Sequence, residues 1–187
     1  MTTHSGNWTI PNALTVARIL CTPLFIALFL NGRHAAALSM FALAGVSDAL
    51  DGFLARVLNQ RSALGAMLDP LADKVLLSAS FICLAYADWL PVWLTVTVVS
   101  RDVLILGGVA LLSFWGQDMR SRIKPSALSK ITTACQMCLI LAVFARQEGL
   151  LGTDAGIIAT AFLWLTAGLT ILSGGHYVVR GLGMFTK

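Results

Sequence analysis

Charge is scarce in this chain: Asp, Glu, Lys and Arg make up 12% of its 187 residues, against about a quarter in an average soluble protein. Basic residues never run to five in a row and do not interleave with aromatics. The net charge of +4 is therefore read as membrane topology, and no nucleic-acid partner is expected. Strict alternation of polar and apolar residues is missing too, which excludes a transmembrane β-barrel. There is no internal repeat, no low-complexity tract and no pair of short, Gly/Pro-interrupted halves of the kind inverted-repeat transporters carry. Cysteine is limited to Cys21, Cys83, Cys135 and Cys138, all within apolar segments. The Cys135-x-x-Cys138 pair could suggest metal or redox chemistry, but small, polarizable helix-packing residues are the expected reading. No basic segment precedes the first apolar run, so no cleaved signal peptide is expected.

What the chain does have is apolar length. Hydrophobic residues make up 57% of it, and the mean hydropathy is +0.81. A membrane-crossing helix needs roughly 20 apolar residues, and the runs divide into six. They cover about residues 13–31, 34 into the acidic stretch, 68–87, 91–115, 126–145 and 153–179. The expected fold is all-α, one membrane domain over residues 1–187 built as a bundle of six transmembrane helices. Trp8, Trp89 and Trp93 suit headgroup depth, and Asn31-Gly32 reads as a turn. With six spans, Arg56, Arg61, Arg120, Arg122, Lys124, Lys130, Arg180 and Lys187 share a side, and the opposite connectors hold Arg33 and Arg146. The positive-inside rule then turns the termini and the second and fourth connectors to the cytoplasm, or to the matrix of a mitochondrion.

Four of the nine acidic residues fall in one stretch, DALDGFLARVLNQRSALGAMLDPLAD, residues 48–73. On a helix Asp48 and Asp51, three apart, share a face, and so do Asp69 and Asp73, four apart. A short connector would make the two helices antiparallel neighbours and bring these faces together. Each carboxylate costs roughly 2.5–3.5 kcal/mol at mid-membrane on insertion scales, and four repel one another, so something positive must offset them. All-oxygen ligands suit Mg²⁺ or Mn²⁺, with two ions plausible at this number. With no His or Cys nearby, zinc is a poor fit. Gly52, Ala55 and Gly65 would let a flat base or a phosphate approach the backbone, and Arg56 is suited to grip a phosphate. Together these residues point to transfer of a phosphoryl-type group, driven by positioning and charge neutralisation. Two other readings use the same acids: a helix-end salt-bridge cluster with Arg56, Arg61 and Lys74, and an ion- or proton-coupled transporter. Neither gives the Gly and Ala positions a role.

The pattern Asp-x2-Asp-Gly-x2-Ala-Arg-x8-Gly-x3-Asp-x3-Asp resembles the signature of the CDP-alcohol phosphatidyltransferase family, and every position of it is filled. The resemblance implies a six-helix membrane fold, commonly homodimeric, in which an alcohol displaces CMP from a CDP-linked lipid. By position it implies metal binding by Asp48, Asp51, Asp69 and Asp73. Gly52, Ala55 and Arg56 would hold the cytidine and diphosphate, and Asp73 would be the general base. IPNALTVAR, SRDVLILGGVALL and IKPSALSKITTACQM look most like the mitochondrial-type cardiolipin synthase branch, which joins CDP-diacylglycerol to phosphatidylglycerol. The sister branch that uses glycerol 3-phosphate usually carries a second arginine about two turns after the position of Arg101; here Gly107, Gly108 and Val109 stand there. Small residues leave room for a bulky lipid acceptor, whereas a phosphate monoester calls for another cation.

Lower in the ranking for the acceptor or cavity are Asn12, Thr15, Arg18, Arg101, Lys124, Ser129 and Lys130. Arg18 either snorkels to the headgroups or points inward. Arg101 either faces a polar cavity or pairs with Asp102, because facing lipid would be costly. Lys124 and Lys130 also read as ordinary positive-inside residues. Ser173, Gly174 and Gly175 read as close helix packing, and His176 as a helix-end residue. A bacterial inner membrane is preferred over a mitochondrial one, since no Arg- and Ser-rich transit segment precedes the first span.

Overall fold

In a computed structural model the backbone is described for residues 10–57, 63–114, 127–150, 152 and 154–185, and side chains for residues 17–47, 74–108, 128–150, 152 and 154–177. Six α-helices and no strand occur among the described residues: α1 Ile10–Leu30, α2 His34–Val57, α3 Ala63–Tyr86, α4 Val92–Phe114, α5 Ala127–Gln147 and α6 Asp154–Phe185. The helices match the six apolar runs, with shifts at their ends. α3 starts at Ala63, ahead of the expected 68, because Ala63, Leu64 and Ala66 are strong helix formers whether or not they lie in lipid. α6 continues to Phe185, past the expected 179. Two helical stretches, Leu128–Gln147 and Asp154–Tyr177, are long and apolar enough to cross a membrane, by length and composition. Shorter apolar stretches lie in α1, α2 and α3.

The chain divides into two compact units, Met1–Cys83 and Leu84–Lys187. In the first, α1 packs on α2 around Phe25, Phe29, Ala37 and Phe41, all buried. The rings of Phe25 and Phe29 stack at 6.2 Å, and Phe41 lies 6.2 Å from Phe25. In the second, α6 packs on both α4 and α5. α4 and α6 run parallel and in register: Trp93 meets Trp164 at 6.0 Å, and eight to nine residues further along, Arg101 meets Ser173 at 2.7 Å. α5 runs antiparallel to α6. Leu139, Ile140, Val143 and Phe144 fill its buried face towards the α5–α6 loop, where Trp89 stands edge-on to Phe144 at 5.6 Å.

Polarity is distributed opposite to that of a water-soluble fold. Leu43, Leu104, Ile157, Trp164, Ile171 and Leu172 are exposed, while Arg18, Arg101, Asp102, Thr132, Gln136 and Ser173 are buried. Buried polar groups and large exposed apolar ones are the informative departures from the usual pattern, and both suit a protein whose outer solvent is lipid.

Three helices end in the same hydrogen-bonded cap. After α1, Gly32 N–H donates to Phe29 O at 3.0 Å and Arg33 N–H to Leu28 O at 2.9 Å. After α5, Gly149 N–H reaches Arg146 O at 3.3 Å and Leu150 N–H reaches Ala145 O at 2.9 Å. These are Schellman caps, which need a left-handed residue at the turn, and Gly32 and Gly149 supply it at φ 71° and 67°. The third cap, after α3, places Asp88 there at φ 58°, with Asp88 N–H bonded to Ala85 O at 3.1 Å and Trp89 N–H to Leu84 O at 2.9 Å. A left-handed L-residue costs roughly 1–2 kcal/mol, least for Asn and Asp. Asp88→Gly should therefore raise the thermal midpoint of the purified protein in detergent, and Asp88→Val should lower it. Two unchanged midpoints would show that the cap carries no strain.

Candidate functional site

Continuous helix runs through both halves of the acidic signature. Asp48, Asp51, Gly52, Ala55 and Arg56 occupy the last three turns of α2, and Gly65, Asp69 and Asp73 the first three of α3. The three- and four-residue spacings thus fall on α-helical backbone, where they correspond to one face. The side chains of these eight residues, and the connector 58–62, lie outside the described residues. So do the side chains of Asn12 and Thr15 on α1, and Lys124 altogether. Among the described residues no three His, Cys, Asp or Glu gather as a metal site. Cys135 and Cys138, one turn apart on α5, are free thiols.

Arg18 is buried, at 4% exposure, and Thr22 Oγ1 donates to its backbone carbonyl at 3.4 Å. A side chain so enclosed does not snorkel.

Arg101 is paired with Asp102, the second of its expected arrangements. The two are 3% and 2% exposed, with Nη1 donating to Asp102 Oδ1 at 2.6 Å. The other terminal nitrogen donates to Ser129 Oγ on α5 at 2.9 Å and to Ser173 Oγ on α6 at 2.7 Å. One guanidinium therefore joins three helices. Gly174 lies beside its stem: a Cβ there would stand in ordinary van der Waals contact with Arg101 Cγ, at 3.6 Å. Hydrogen bonds to a charged group contribute about 1.5–3 kcal/mol each, enough to offset a cation's cost of roughly 2.5–3.5 kcal/mol at mid-membrane. Lys130, the residue after Ser129, is exposed.

Sequence reasoning missed the polar seam that continues from this node. Ser129, Thr132 and Gln136 recur at i, i+3 and i+7 on α5, and Ser173, Thr170 and Thr166 at i, i−3 and i−7 on α6. Because the helices are antiparallel, these form three successive levels, and Thr132 Oγ1 reaches Leu169 O across the seam at 3.5 Å. Five of the six are at most 1% exposed; Ser129 is half-buried. A heptad-like polar spacing on two helices was the available signal, but a helix register was needed to interpret it. The Gln136 amide and the hydroxyls of Thr166 and Thr170 are buried without hydrogen-bond partners.

A family model described as CDP-alcohol phosphatidyltransferase matches residues 8–172, a range that includes the whole signature and most of each unit. The chain belongs to the CDP-alcohol phosphatidyltransferase family. Among curated relatives it is similar to the cardiolipin synthase (CMP-forming) of Rattus norvegicus, at 42% identity over 92% of this chain and 61% of the relative. It is similar to the cardiolipin synthase (CMP-forming) of Streptomyces coelicolor at 42% identity, covering 92% and 82%. A third relative is the CDP-diacylglycerol–glycerol-3-phosphate 3-phosphatidyltransferase of Pseudomonas fluorescens, at 34% identity over 90% and 88%. The chain spans about three fifths of the length of the rat and human relatives. In this member of the family the node around Arg101 is built from residues outside the signature.

The unsatisfied seam makes its own prediction. Gln136→Leu, close in volume, removes a buried amide that lacks partners and should stabilise the protein by about 1 kcal/mol. A lowered thermal midpoint in detergent would show that the amide is bonded within the bundle after all.

Proposed function

We propose that this chain is a six-span membrane phosphatidyltransferase, one domain over residues 1–187, that moves a phosphatidyl group from CDP-diacylglycerol to phosphatidylglycerol and releases CMP. The observation that carries the reading is the complete Asp48–Asp73 signature, on helical backbone, in a chain of this family. Gly52, Ala55, Arg56 and Gly65 would hold the CDP moiety: the small residues admit the base and phosphates close to the helix, and Arg56 pairs with the diphosphate. Asp73 would take the proton of the acceptor hydroxyl. The acceptor oxygen then bonds to the phosphorus that carries the diacylglycerol oxygen, and the bond from that phosphorus to the bridging oxygen breaks, with the electron pair leaving on CMP. The donor set is four carboxylates without His or Cys, which fits Mg²⁺ or Mn²⁺. Two such ions on Asp48, Asp51, Asp69 and Asp73 would neutralise diphosphate charge and make the acceptor hydroxyl easier to deprotonate.

Asn12, Thr15, Arg18, Arg101, Lys124, Ser129 and Lys130 are the candidates for acceptor or cavity roles. Support for a lipid acceptor comes from the small residues Gly107 and Gly108 where a second cation would be expected for a phosphate monoester, and from the names of the rat and Streptomyces relatives. The Pseudomonas relative's name supports glycerol 3-phosphate as the alternative acceptor. The basic bias turns the site to the cytoplasm of a bacterial inner membrane, or to the matrix of a mitochondrial one. The family resemblance supports a homodimer.

Purified protein in lipid should release CMP from CDP-diacylglycerol when Mg²⁺ or Mn²⁺ is present, and excess EDTA should stop it; undiminished release in EDTA would rule out the metal reading. Asp73→Asn should slow release by about a hundredfold or more, the usual contribution of a general base, and an unchanged rate would move the base elsewhere. Labelled phosphatidylglycerol and glycerol 3-phosphate supplied side by side should yield the product of the lipid acceptor. A product labelled only from glycerol 3-phosphate would reverse the assignment. Movement of substrate into liposomes without CMP would instead indicate a carrier.

A further inference from the structure

Arg101 spends both N–H groups of one terminal nitrogen on hydroxyls from two other helices, at 2.9 and 2.7 Å, and its second terminal nitrogen on Asp102. It is enclosed at 3% exposure, with Nε the guanidinium nitrogen that has no hydrogen-bond partner. Ser129 is the third residue of α5, so the bond from Arg101 holds the helix's first turn. Below that turn the seam is weakly tied. Thr132 reaches Leu169 O only at 3.5 Å, and Gln136, Thr166 and Thr170 have polar atoms without partners. Firm packing resumes at Leu139, Ile140, Val143 and Phe144, all buried. The guanidinium thus ties this end of α5 to α4 and α6, and Lys130 is the residue after Ser129.

We infer that Arg101 is a positioning residue: acting through Ser173 and Ser129, it fixes the first turn of α5 and thereby sets where Lys130 stands for the acceptor. The turnover part of this inference rests on the phosphatidyltransferase reading; the anchoring part does not. It also separates Arg101 from a ligand-binding arginine, which would show its effect mainly in acceptor affinity.

The test uses the full chain in lipid, with Ser173→Ala, Ser129→Ala/Ser173→Ala, Arg101→Lys and Arg101→Gln. Hydrogen–deuterium exchange along α5 is measured together with kcat and acceptor KM for CMP release. Ser173 lies outside the proposed substrate-binding set, so its alanine variant probes the anchor alone. Ser173→Ala should speed exchange of the amides of residues 131–135 at least fivefold, leave residues 139–144 unchanged, and lower kcat at least threefold with acceptor KM within twofold. The double variant should deepen both effects, and Arg101→Lys should retain more turnover than Arg101→Gln. Unchanged exchange in the serine variants overturns the inference. Faster exchange with unchanged kcat overturns it too, leaving the node as scaffold only. A tenfold rise in acceptor KM in Arg101→Gln, with normal kinetics in Ser173→Ala, would make Arg101 a ligand group. If the unsubstituted protein releases no CMP, the phosphatidyltransferase reading fails, and the exchange comparison still decides the anchor.

Discussion

A cation enclosed among apolar helices must find all of its partners inside the protein, and the second unit is arranged around that requirement. Arg101 is neutralised by the adjacent Asp102 and takes hydroxyls from α5 and α6. Each partner restricts a helix, because a serine one turn out of place could not reach. The parallel register of α4 and α6, seen again where Trp93 meets Trp164, is what this chemistry requires. Removing one member of such a buried pair leaves an uncompensated charge, a loss of about 3–5 kcal/mol, so the node constrains structure as well as sequence.

The acidic signature poses the same problem with the opposite sign and answers it differently. Asp48, Asp51, Asp69 and Asp73 bring four negative charges with only Arg56, Arg61 and Lys74 close by in sequence. In the proposed reading their compensation comes from bound ions and substrate. In the proposed readings that contrast separates Arg101, a positioning group held by Asp102, Ser129 and Ser173, from the aspartates, a binding group.

Much of the fold was legible. The apolar runs mark the six helices of the described residues, and Asn31-Gly32 marks the end of α1, since glycine reaches the left-handed conformation without steric cost. Helix ends were read less well where helix and lipid-spanning segment differ, as at Ala63 and beyond residue 179. The cap at Asp88 was read only as a boundary, because an aspartate in a glycine's conformation leaves no compositional mark. For Arg18 and Arg101 the sequence allowed two positions each; Arg18 is buried, and Arg101 is paired with Asp102. Ser173 was read as a packing residue, although its hydroxyl is an acceptor for Arg101.

Local periodicity and composition, acting over three or four residues, were enough by themselves to determine the helices, the spacing of the aspartates and the charge bias between connectors. Family membership follows from the same linear pattern. The partners of Arg101 are a different matter. Ser129 and Ser173 lie 28 and 72 positions away, and nothing in a 3.6-residue repeat states which level of one helix meets which level of another. Only packing decides that, because register depends on how whole helix faces fit, and the fit brings three distant polar residues to one nitrogen-rich point.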